Sequence, residues 1–476
     1  MRSAAANPAG WPAMPGTACA AGGITLGVEE EFVLLDPSTG AAVLAGPDLA
    51  RMLGGEPGVQ PELMRYQVET ATRVCASLDE VGCELVRLRR LVAGAAASAG
   101  CRLVAAGIAP YHAPGLAAVT GQPRYRELAR YYGPLVAEAG GTCGCHVHVG
   151  VPSRDLGVQV LARLRPWLAS LLAITVNSPI AGGRDTAWAS CRYPAWSRWP
   201  TAAPPSVWPD AAAYDAAIRR LISQGAALDE QGIYFLARLS PRYPTVEVRV
   251  ADVCLDPGTA VLLAGLTRAL VATALAEARR GTPVPAVSAP RVNAALAAAA
   301  RHGLAGTAVD PFTGQHADPR HLRSRLLDHV YPALTDYGDA PGITALLRRL
   351  DDLGTGADRQ RALLASGASP PGFVQALARA TLSGHEPARS SPPGTASRQP
   401  RAPAPGPAPT IPAPRQHRLH RGTGNMAGSS TSPGPEPPDA GLPRWPDSPR
   451  LTAPAQPAAM PGGNNHPDRP SRTVNL

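Results

Sequence analysis

The amino-acid sequence predicts an α+β fold with a mainly antiparallel β-sheet. Strand-like segments are joined by short turns, and long helical segments follow one another without the regular strand–helix alternation of a parallel sheet. No internal repeat interrupts this order, and apolar periodicity is confined to the region between about residues 22 and 384.

We expect three regions, of which only residues 22–384 form a folded domain. From His385 onward, Pro, Ala, Gly, Ser and Arg dominate and apolar runs are absent, so little surface could be buried to offset the entropy of ordering. Residues 1–21 have a similar composition. We therefore predict a disordered N-terminus (1–21) and a disordered tail (385–476). The central region is long enough for one large domain.

Charge and composition exclude several classes of protein. All 45 basic residues are arginine, so a P-loop lysine, a pyridoxal Schiff base and a biotinyl lysine are absent. The net charge is +9, but much of it comes from the tail, and no arginine stripe is interleaved with aromatic residues. We therefore expect no nucleic-acid partner.

The cysteines and the apolar segments indicate a cytoplasmic protein. The eight cysteines are scattered along the chain, and most of them stand among apolar residues, which is typical of reduced thiols. The N-terminus lacks the apolar core of a signal peptide, and no uncharged apolar run of about 18 residues offers a membrane span. We expect no membrane association.

The N-terminal part of the domain begins with a strand, residues 24–35, which ends at the turn-like segment Asp36–Gly40. Residues 78–99 carry leucine and valine at helical spacing, and the apolar run at residues 101–108 is typical of a buried strand. Residues 122–139 read as helical.

In the second part of the domain, side-chain character alternates from one residue to the next over residues 143–151, which predicts a strand. Residues 155–176 are predicted to form an apolar helix. Residues 182–205 are rich in Trp, Arg and Pro and show neither helical nor strand periodicity, so we predict a loop. A loop of this length in a compact domain is usually functional. The remaining predicted elements are a helix at 211–223, strands at 233–240 and 244–252, a strongly apolar helix at 258–280, and helices to about residue 383.

Three of the predicted strands carry polar groups two residues apart. In "TLGVEEEFVLLD", Glu29 and Glu31 share one strand face and Glu30 points to the other. In "HVHVG", His146 and His148 share a face. Each pattern alone is also explained by a solvated carboxylate pair or by two half-buried histidines.

The third strand, "TVEVRVAD", places Glu247 and Arg249 on one face with valines behind them. An intrastrand salt bridge would explain this pair alone. Considered by itself, Glu69 in "VETATRVC" is explained as a carboxylate at a solvated helix start or strand edge. If the strands are neighbours, however, the carboxylates, histidines and arginine converge on one surface. Such a surface suits a hard divalent cation that carries phosphates.

These motifs, together with "NSP" and "GRDTAWASCR…WSRWPTAAPP", resemble the glutamate–cysteine ligase family of the type 2, carboxylate–amine ligase kind, over about residues 22–380. The resemblance implies a glutamine-synthetase-like fold, with helices outside a curved, mainly antiparallel sheet. It also implies an ATP-dependent ligase that needs Mg²⁺ or Mn²⁺ and joins glutamate to cysteine, or to another amine, through an acyl phosphate. The partners would be small molecules. A homodimer is compatible with the sequence, which does not define the oligomeric state.

The resemblance also implies roles for individual residues. Arg249 would stabilise the transferring phosphoryl group, and His146 and His148 would contact nucleotide phosphate. Arg184 and Arg192 would bind a substrate carboxylate, unless they stack on Trp188 or Trp196. The implied metal ligands are Glu29, Glu31, Glu69, His146 and Glu247.

Two other functions remain open. The histidines and glutamates could bind Zn²⁺ in a metallohydrolase, although the excess of carboxylates and Arg249 suits Mg²⁺ and phosphate better. The chain could also be a non-catalytic relative that binds a metabolite or a partner.

Overall fold

A seven-stranded sheet lies at the centre of residues 24–383, which are the residues that the computed structural model describes. The predicted disordered segments, 1–21 and 385–476, lie outside them. The strands in chain order are β1 Leu26–Leu35, β2 Val59–Pro61, β3 Gln67–Ala71, β4 Arg102–Val104, β5 Gly144–Gly150, β6 Ile180–Ala181, β7 Arg184–Asp185, β8 Ala237–Leu239, β9 Thr245–Asp252, β10 Ala308–Val309 and β11 His316–Ala317.

The strand order in the main sheet is β2-β3-β1-β5-β9-β8, and β4 pairs with the end of β1 beyond the segment that pairs with β5. Every pair in this sheet is antiparallel, which agrees with the prediction of a mainly antiparallel sheet. Two small hairpins, β6–β7 and β10–β11, lie outside it. β1 lies between β3 and β5, although these three strands are distant from one another in the sequence. This order brings side chains of all three strands to one face.

Helices make up most of the remaining structure. In chain order they are α1 Gly46–Met52, α2 Leu78–Ser98, α3 Pro123–Tyr132, α4 Pro134–Ala139, α5 Arg154–Leu164, α6 Leu168–Thr175, α7 Arg192–Trp196, α8 Ala211–Ser223, α9 Pro257–Arg279, α10 Ala289–His302, α11 Pro319–Asp336, α12 Ala340–Leu353, α13 Gly356–Ala365 and α14 Pro370–Leu382. The side chains of Ser77, Ser153 and Asp256 accept backbone hydrogen bonds and so cap α2, α5 and α9.

The helices α2, α6 and α9 pack against the sheet and bury its apolar face. Phe32, Val147 and Val248 contribute to this core and are at most 1% exposed. Within residues 24–383, only α9 is long and apolar enough to cross a membrane, and 78% of its most apolar window is buried in the fold. The apolarity of α9 is therefore that of a central core helix.

Two long predicted helices are broken. Residues 155–176 form α5 and α6 with a 3₁₀ turn, Arg165–Trp167, between them, because Pro166 has no backbone N–H to continue the helix. Residues 122–139 form α3 and α4, which separate at Gly133, with a φ of 53°, before Pro134.

Some predicted strands are shorter than expected. Of residues 101–108 only β4 is a strand, and of residues 233–240 only β8. The segment 182–205, predicted as an aperiodic loop, contains the two residues of β7 and the short helix α7.

Glu30 points to the helical face of the sheet and pairs with Arg89 of α2. The Arg89 Nε and Nη2 atoms donate to the two Glu30 carboxylate oxygens at 2.8 and 2.5 Å, and neither side chain is exposed. Arg89 also donates to the carbonyl oxygens of Cys254, Leu255 and Thr381. A single arginine thus links β1, α2, the segment after β9, and α14.

Candidate functional site

Polar side chains form a line across the face of the sheet opposite to Glu30. Residues directly opposite each other in an antiparallel pair project to the same face. In the register, Glu31 is opposite Glu69, Glu29 is opposite His146, and Glu247 is opposite both His148 and Arg238. We call this set, with Arg249 two residues beyond Glu247, the charged row: Glu69, Glu31, Glu29, His146, His148, Glu247, Arg249 and Arg238.

The centre of the charged row could hold a metal ion. Glu29, His146 and Glu247 each offer a ligand atom, and these atoms lie within 4.8 Å of one another. The His146 Nδ1 atom is 3.3 Å from a Glu29 oxygen, and the His148 Nε2 atom is 3.2 Å from the other. The Nε2 atom of His146 is buried and makes no hydrogen bond within residues 24–383. Buried nitrogens of this kind usually have a ligand or ordered water as partner.

The ionisation of Glu29 and of His146 favours cation binding. Burial and the charge of Arg249 lower the pKa of His146 to about 4, so its imidazole is neutral at neutral pH and can ligate a metal. Burial opposes ionisation of Glu29, but the two histidines outweigh it and hold the pKa of Glu29 well below its usual value. For His148, the charges of Glu29 and Glu247 overcome the effect of burial and raise its pKa.

Carboxylates crowd the β3 end of the charged row. Burial, followed by the charge of Glu62, raises the pKa of Glu31 to about 8. The pKa of Glu69 is also raised well above its usual value, by burial and then by Glu29, Glu62 and Glu31. A divalent cation near this end would relieve this repulsion.

Glu62 was not predicted from the sequence as a site residue. It follows β2 at the turn into β3, and the Tyr125 hydroxyl donates to its carboxylate at 3.4 Å. The two-residue spacing that identifies carboxylates on a strand does not apply to a turn. The only signal for Glu62 in the sequence is the segment "PELMRYQVET", in which Glu62 and Glu69 lie on either side of a short turn.

Basic residues surround Glu247 at the β8 end of the charged row. The Arg238 Nε atom donates to Glu247 at 2.8 Å, and Arg249 Nη1 donates to the other carboxylate oxygen. These arginines and His148 overcome the effect of burial and hold the pKa of Glu247 far below its usual value. The intrastrand salt bridge considered for Glu247 and Arg249 is therefore present, but it is buried within the site. Arg238, which was not predicted, comes from the preceding strand of the hairpin.

Arg192 lies on the same face of the sheet as the charged row, against Gly144 of β5. It is 1% exposed, its Nη atoms donate to the carbonyl oxygens of Val250 and Arg249, and its guanidinium lies 5.3 Å from the centre of the Trp196 ring. The stacking considered as an alternative role is thus observed. A Cβ at position 144 would lie 2.4 Å from an Arg192 nitrogen and 2.9 Å from His146 Nε2, so this close approach requires Gly144.

Arg184 is not part of the charged row. It lies on the exposed hairpin strand β7, and within residues 24–383 its guanidinium makes no hydrogen bond or ion pair. Trp188, the other considered stacking partner, packs against Arg301 at 5.1 Å.

The "NSP" motif anchors the Trp-rich segment to β9. Asp252, at the end of β9, accepts hydrogen bonds from the Asn177 backbone amide at 2.8 Å and from the Ser178 and Ser190 hydroxyls at 2.7 Å each. The Ser178 hydroxyl in turn accepts from the Arg192 backbone amide at 3.1 Å. This buried network positions Arg192 next to Gly144 on the polar face of the sheet.

Comparison with known proteins agrees with this fold and with the resemblance noted in the sequence. Residues 25–380 match the model of the family described as Glutamate-cysteine ligase family 2. The "Putative glutamate--cysteine ligase 2-2" of Mycobacterium sp. (strain KMS) is 44% identical over 361 residues, which are 75% of this chain and 98% of that protein. The "Putative glutamate--cysteine ligase 2-1" of Saccharopolyspora erythraea is 44% identical over 338 residues, covering 71% of this chain and 89% of that protein.

Solved structures share the fold at low sequence identity. Glutamate–cysteine ligase from Francisella tularensis, solved in complex with AMP, has a TM-score of 0.56 at 16% identity over 75% of this chain and 88% of that one. A bifunctional glutathione synthetase from Pasteurella multocida has a TM-score of 0.53 at 14% identity over 75% of this chain and 52% of that one. The predicted fold class is thereby confirmed. With the family model matched over most of residues 24–383 and relatives matched over most of their own length, this chain belongs to glutamate–cysteine ligase family 2.

Proposed function

We propose that this protein is an ATP-dependent carboxylate–amine ligase that joins the γ-carboxylate of L-glutamate to the amine of L-cysteine. The observation that carries the proposal is the convergence of Glu29, His146 and Glu247 on one point beside the Arg249 guanidinium. Family membership supports the reaction class. The substrates are small molecules, and the free thiols of the seven described cysteines support a cytoplasmic location.

The proposed reaction has two steps. A γ-carboxylate oxygen of glutamate attacks the γ-phosphorus of ATP and ADP leaves, which gives an acyl phosphate. The cysteine amine then attacks the acyl carbon and loses a proton, and phosphate leaves. Neither step consumes a nucleophile of the enzyme, so the task of the chain is to position substrates and stabilise charge.

The charged row supplies groups for this task. Mg²⁺ or Mn²⁺ would neutralise phosphate charge when bound. Glu29, His146 and Glu247 would hold one ion. The crowded carboxylates would hold another ion at the β3 end: Glu31, Glu62 and Glu69.

Arg249 would donate to the transferring phosphoryl group. Its Nη1 atom is held by Glu247, while its buried Nε atom has no hydrogen-bond partner among residues 24–383. His148 would contact nucleotide phosphate beside it, and the buried Nε of Arg192 would approach a substrate carboxylate. The role proposed for Arg184 rests on the sequence resemblance alone.

The experiment is a screen of ADP release by the purified protein with glutamate and each amino acid or small amine. We expect release to require Mg²⁺ or Mn²⁺, glutamate and an amine, with cysteine the best acceptor and γ-glutamylcysteine found by mass spectrometry. Full activity with Zn²⁺ alone, or hydrolysis that needs no ATP, would favour a metallohydrolase. Binding of MgATP without turnover on any pair would favour a non-catalytic relative.

A further inference from the structure

The two ends of the charged row differ in charge, and the difference indicates how a nucleotide lies across it. Three carboxylates crowd the β3 end: Glu31, Glu62 and Glu69. At the β8 end, Arg238, Arg249 and His148 surround the single carboxylate of Glu247. A polyphosphate chain is strongly anionic, so it fits the β8 end. The base attached to it then needs an apolar surface near that end.

Tyr243 offers such a surface. It lies in the turn between β8 and β9, and its ring centre is 6.0 Å from that of His148 with the two planes at 87°. The side chain is 54% exposed, although it lies next to a histidine that is 8% exposed. Tyr243 is thus an exposed aromatic residue at the edge of a buried polar site.

The turn holds this tyrosine in place. The Ser240 hydroxyl accepts hydrogen bonds from the backbone amides of Arg242 and Tyr243 at 3.3 Å each, and the Thr245 amide donates to the Tyr243 carbonyl at 2.7 Å. Prolines at positions 241 and 244 restrict the backbone further. A surface that is ordered before binding costs less entropy when a ligand binds.

We propose that the purine base of the nucleotide stacks on Tyr243 while its phosphates lie against the Arg249 and His148 end of the charged row. This assignment rests on the proposed ligase function and adds the orientation of its nucleotide. Stacking on an aromatic ring tolerates any base. Tyr243 therefore increases the affinity for nucleotides over inorganic triphosphate, and it discriminates little between ATP and GTP.

The test compares two ligands by isothermal titration calorimetry in Mg²⁺: the β,γ-methylene analogue of ATP, which is not hydrolysed, and tripolyphosphate, which has no base. We expect Tyr243→Ala to weaken binding of the analogue on the order of 10-fold and to leave tripolyphosphate binding unchanged. Tyr243→Phe keeps the ring and should bind both ligands as the wild type does. Tyr331→Ala, which removes a 59% exposed tyrosine of α11, is the matched control and should change neither affinity.

Several outcomes would overturn the assignment. One is an unchanged affinity of Tyr243→Ala for the analogue. Another is an equal loss for tripolyphosphate, which would mean that the ring acts only by supporting His148. A wild-type protein that binds neither ligand would contradict both this assignment and the ligase. If the wild type binds the analogue through Tyr243 but releases no ADP with any pair, the ligase proposal fails and the base site stands.

Discussion

Arg89 and Glu30 form a bidentate ion pair in which neither side chain is exposed to solvent. The pair lies on the opposite face of β1 from Glu29 and Glu31. It explains the third carboxylate of "VEEEF" as a structural element that joins the sheet to α2 and α14.

Replacing Arg89 should therefore destabilise the fold severely. Arg89→Met leaves the Glu30 carboxylate buried without a partner, which typically costs about 3–5 kcal/mol of the free energy of unfolding. Urea unfolding followed by circular dichroism measures this loss. Arg87→Ala, on the same helix, removes an ion pair with Glu56 at a half-exposed arginine and should cost at most about 1 kcal/mol. Equal losses in the two variants would contradict the structural role of Arg89.

Arg249→Lys should not behave as a conservative change. The guanidinium of Arg249 can pair with Glu247 and still offer two parallel donors to a phosphoryl group. Lysine is a point charge and cannot do both. Because the negative charge on the phosphoryl group develops during transfer, we expect kcat to fall on the order of 100-fold or more, with a smaller effect on KM for ATP. Steady-state kinetics would measure both, with the melting temperature as a control for folding. A wild-type kcat would show that Arg249 does not contact the transferring group.

Glu247→Gln should raise the Mg²⁺ concentration needed for half-maximal activity, by roughly 10-fold or more, because it weakens a metal ligand. The measurement is a Mg²⁺ titration of ADP release at saturating ATP. Glu56→Gln removes a surface carboxylate and serves as the control. Were the Mg²⁺ dependence of Glu247→Gln unchanged, Glu247 would be a partner of the arginines and not a ligand.

Glu31 should make stability fall with rising pH when metal is absent. Its pKa rises from an ordinary 4.5 to about 8 in the folded protein, so the folded state binds the proton more tightly than the unfolded state. The stability that this group contributes is present below pH 4.5, decreases as pH rises above it, and is lost above about pH 8. One proton corresponds to at most about 1.4 kcal/mol per pH unit.

This pH dependence can be measured by urea unfolding in a chelator across that interval. Glu31→Gln cannot ionise and should show a shallower fall than the wild type. Mg²⁺ should stabilise the wild type more at the alkaline end, because the ion competes with the proton. Parallel pH profiles of the two proteins would refute the raised pKa of Glu31.

Deleting residues 390–476 should leave the melting temperature and the kinetics nearly unchanged, because the composition of this segment cannot build a core. The deletion retains α14, whose Thr381 accepts hydrogen bonds from Arg89 and from the Ala105 amide. A chain that ends at residue 368 would lose α14 and these contacts and should be much less stable. A large drop in melting temperature for the first deletion would show that the tail is integral to the domain.

Several features of the site could be predicted from consecutive residues. The alternation in β1, β5 and β9 places Glu29 with Glu31, His146 with His148, and Glu247 with Arg249, and each pair lies on the polar face in the structure. The opposite orientation of Glu30 follows from the same period of two. The mainly antiparallel α+β fold follows from the order of strand-like and helical segments. All of these are properties of short stretches of chain, and local backbone geometry determines them.

Other features depend on which segments become neighbours. Arg89 meets Glu30 across 59 positions of the chain, and Arg192 lies against Gly144 only because the "NSP" segment is hydrogen-bonded to the end of β9. Glu62 and Arg238 enter the site through a turn and a neighbouring strand. The order β3-β1-β5-β9, which assembles the charged row, depends on burying one apolar face against α2, α6 and α9. That burial is a free energy summed over the whole domain, so the tertiary structure, and no single motif, decided which charges would meet.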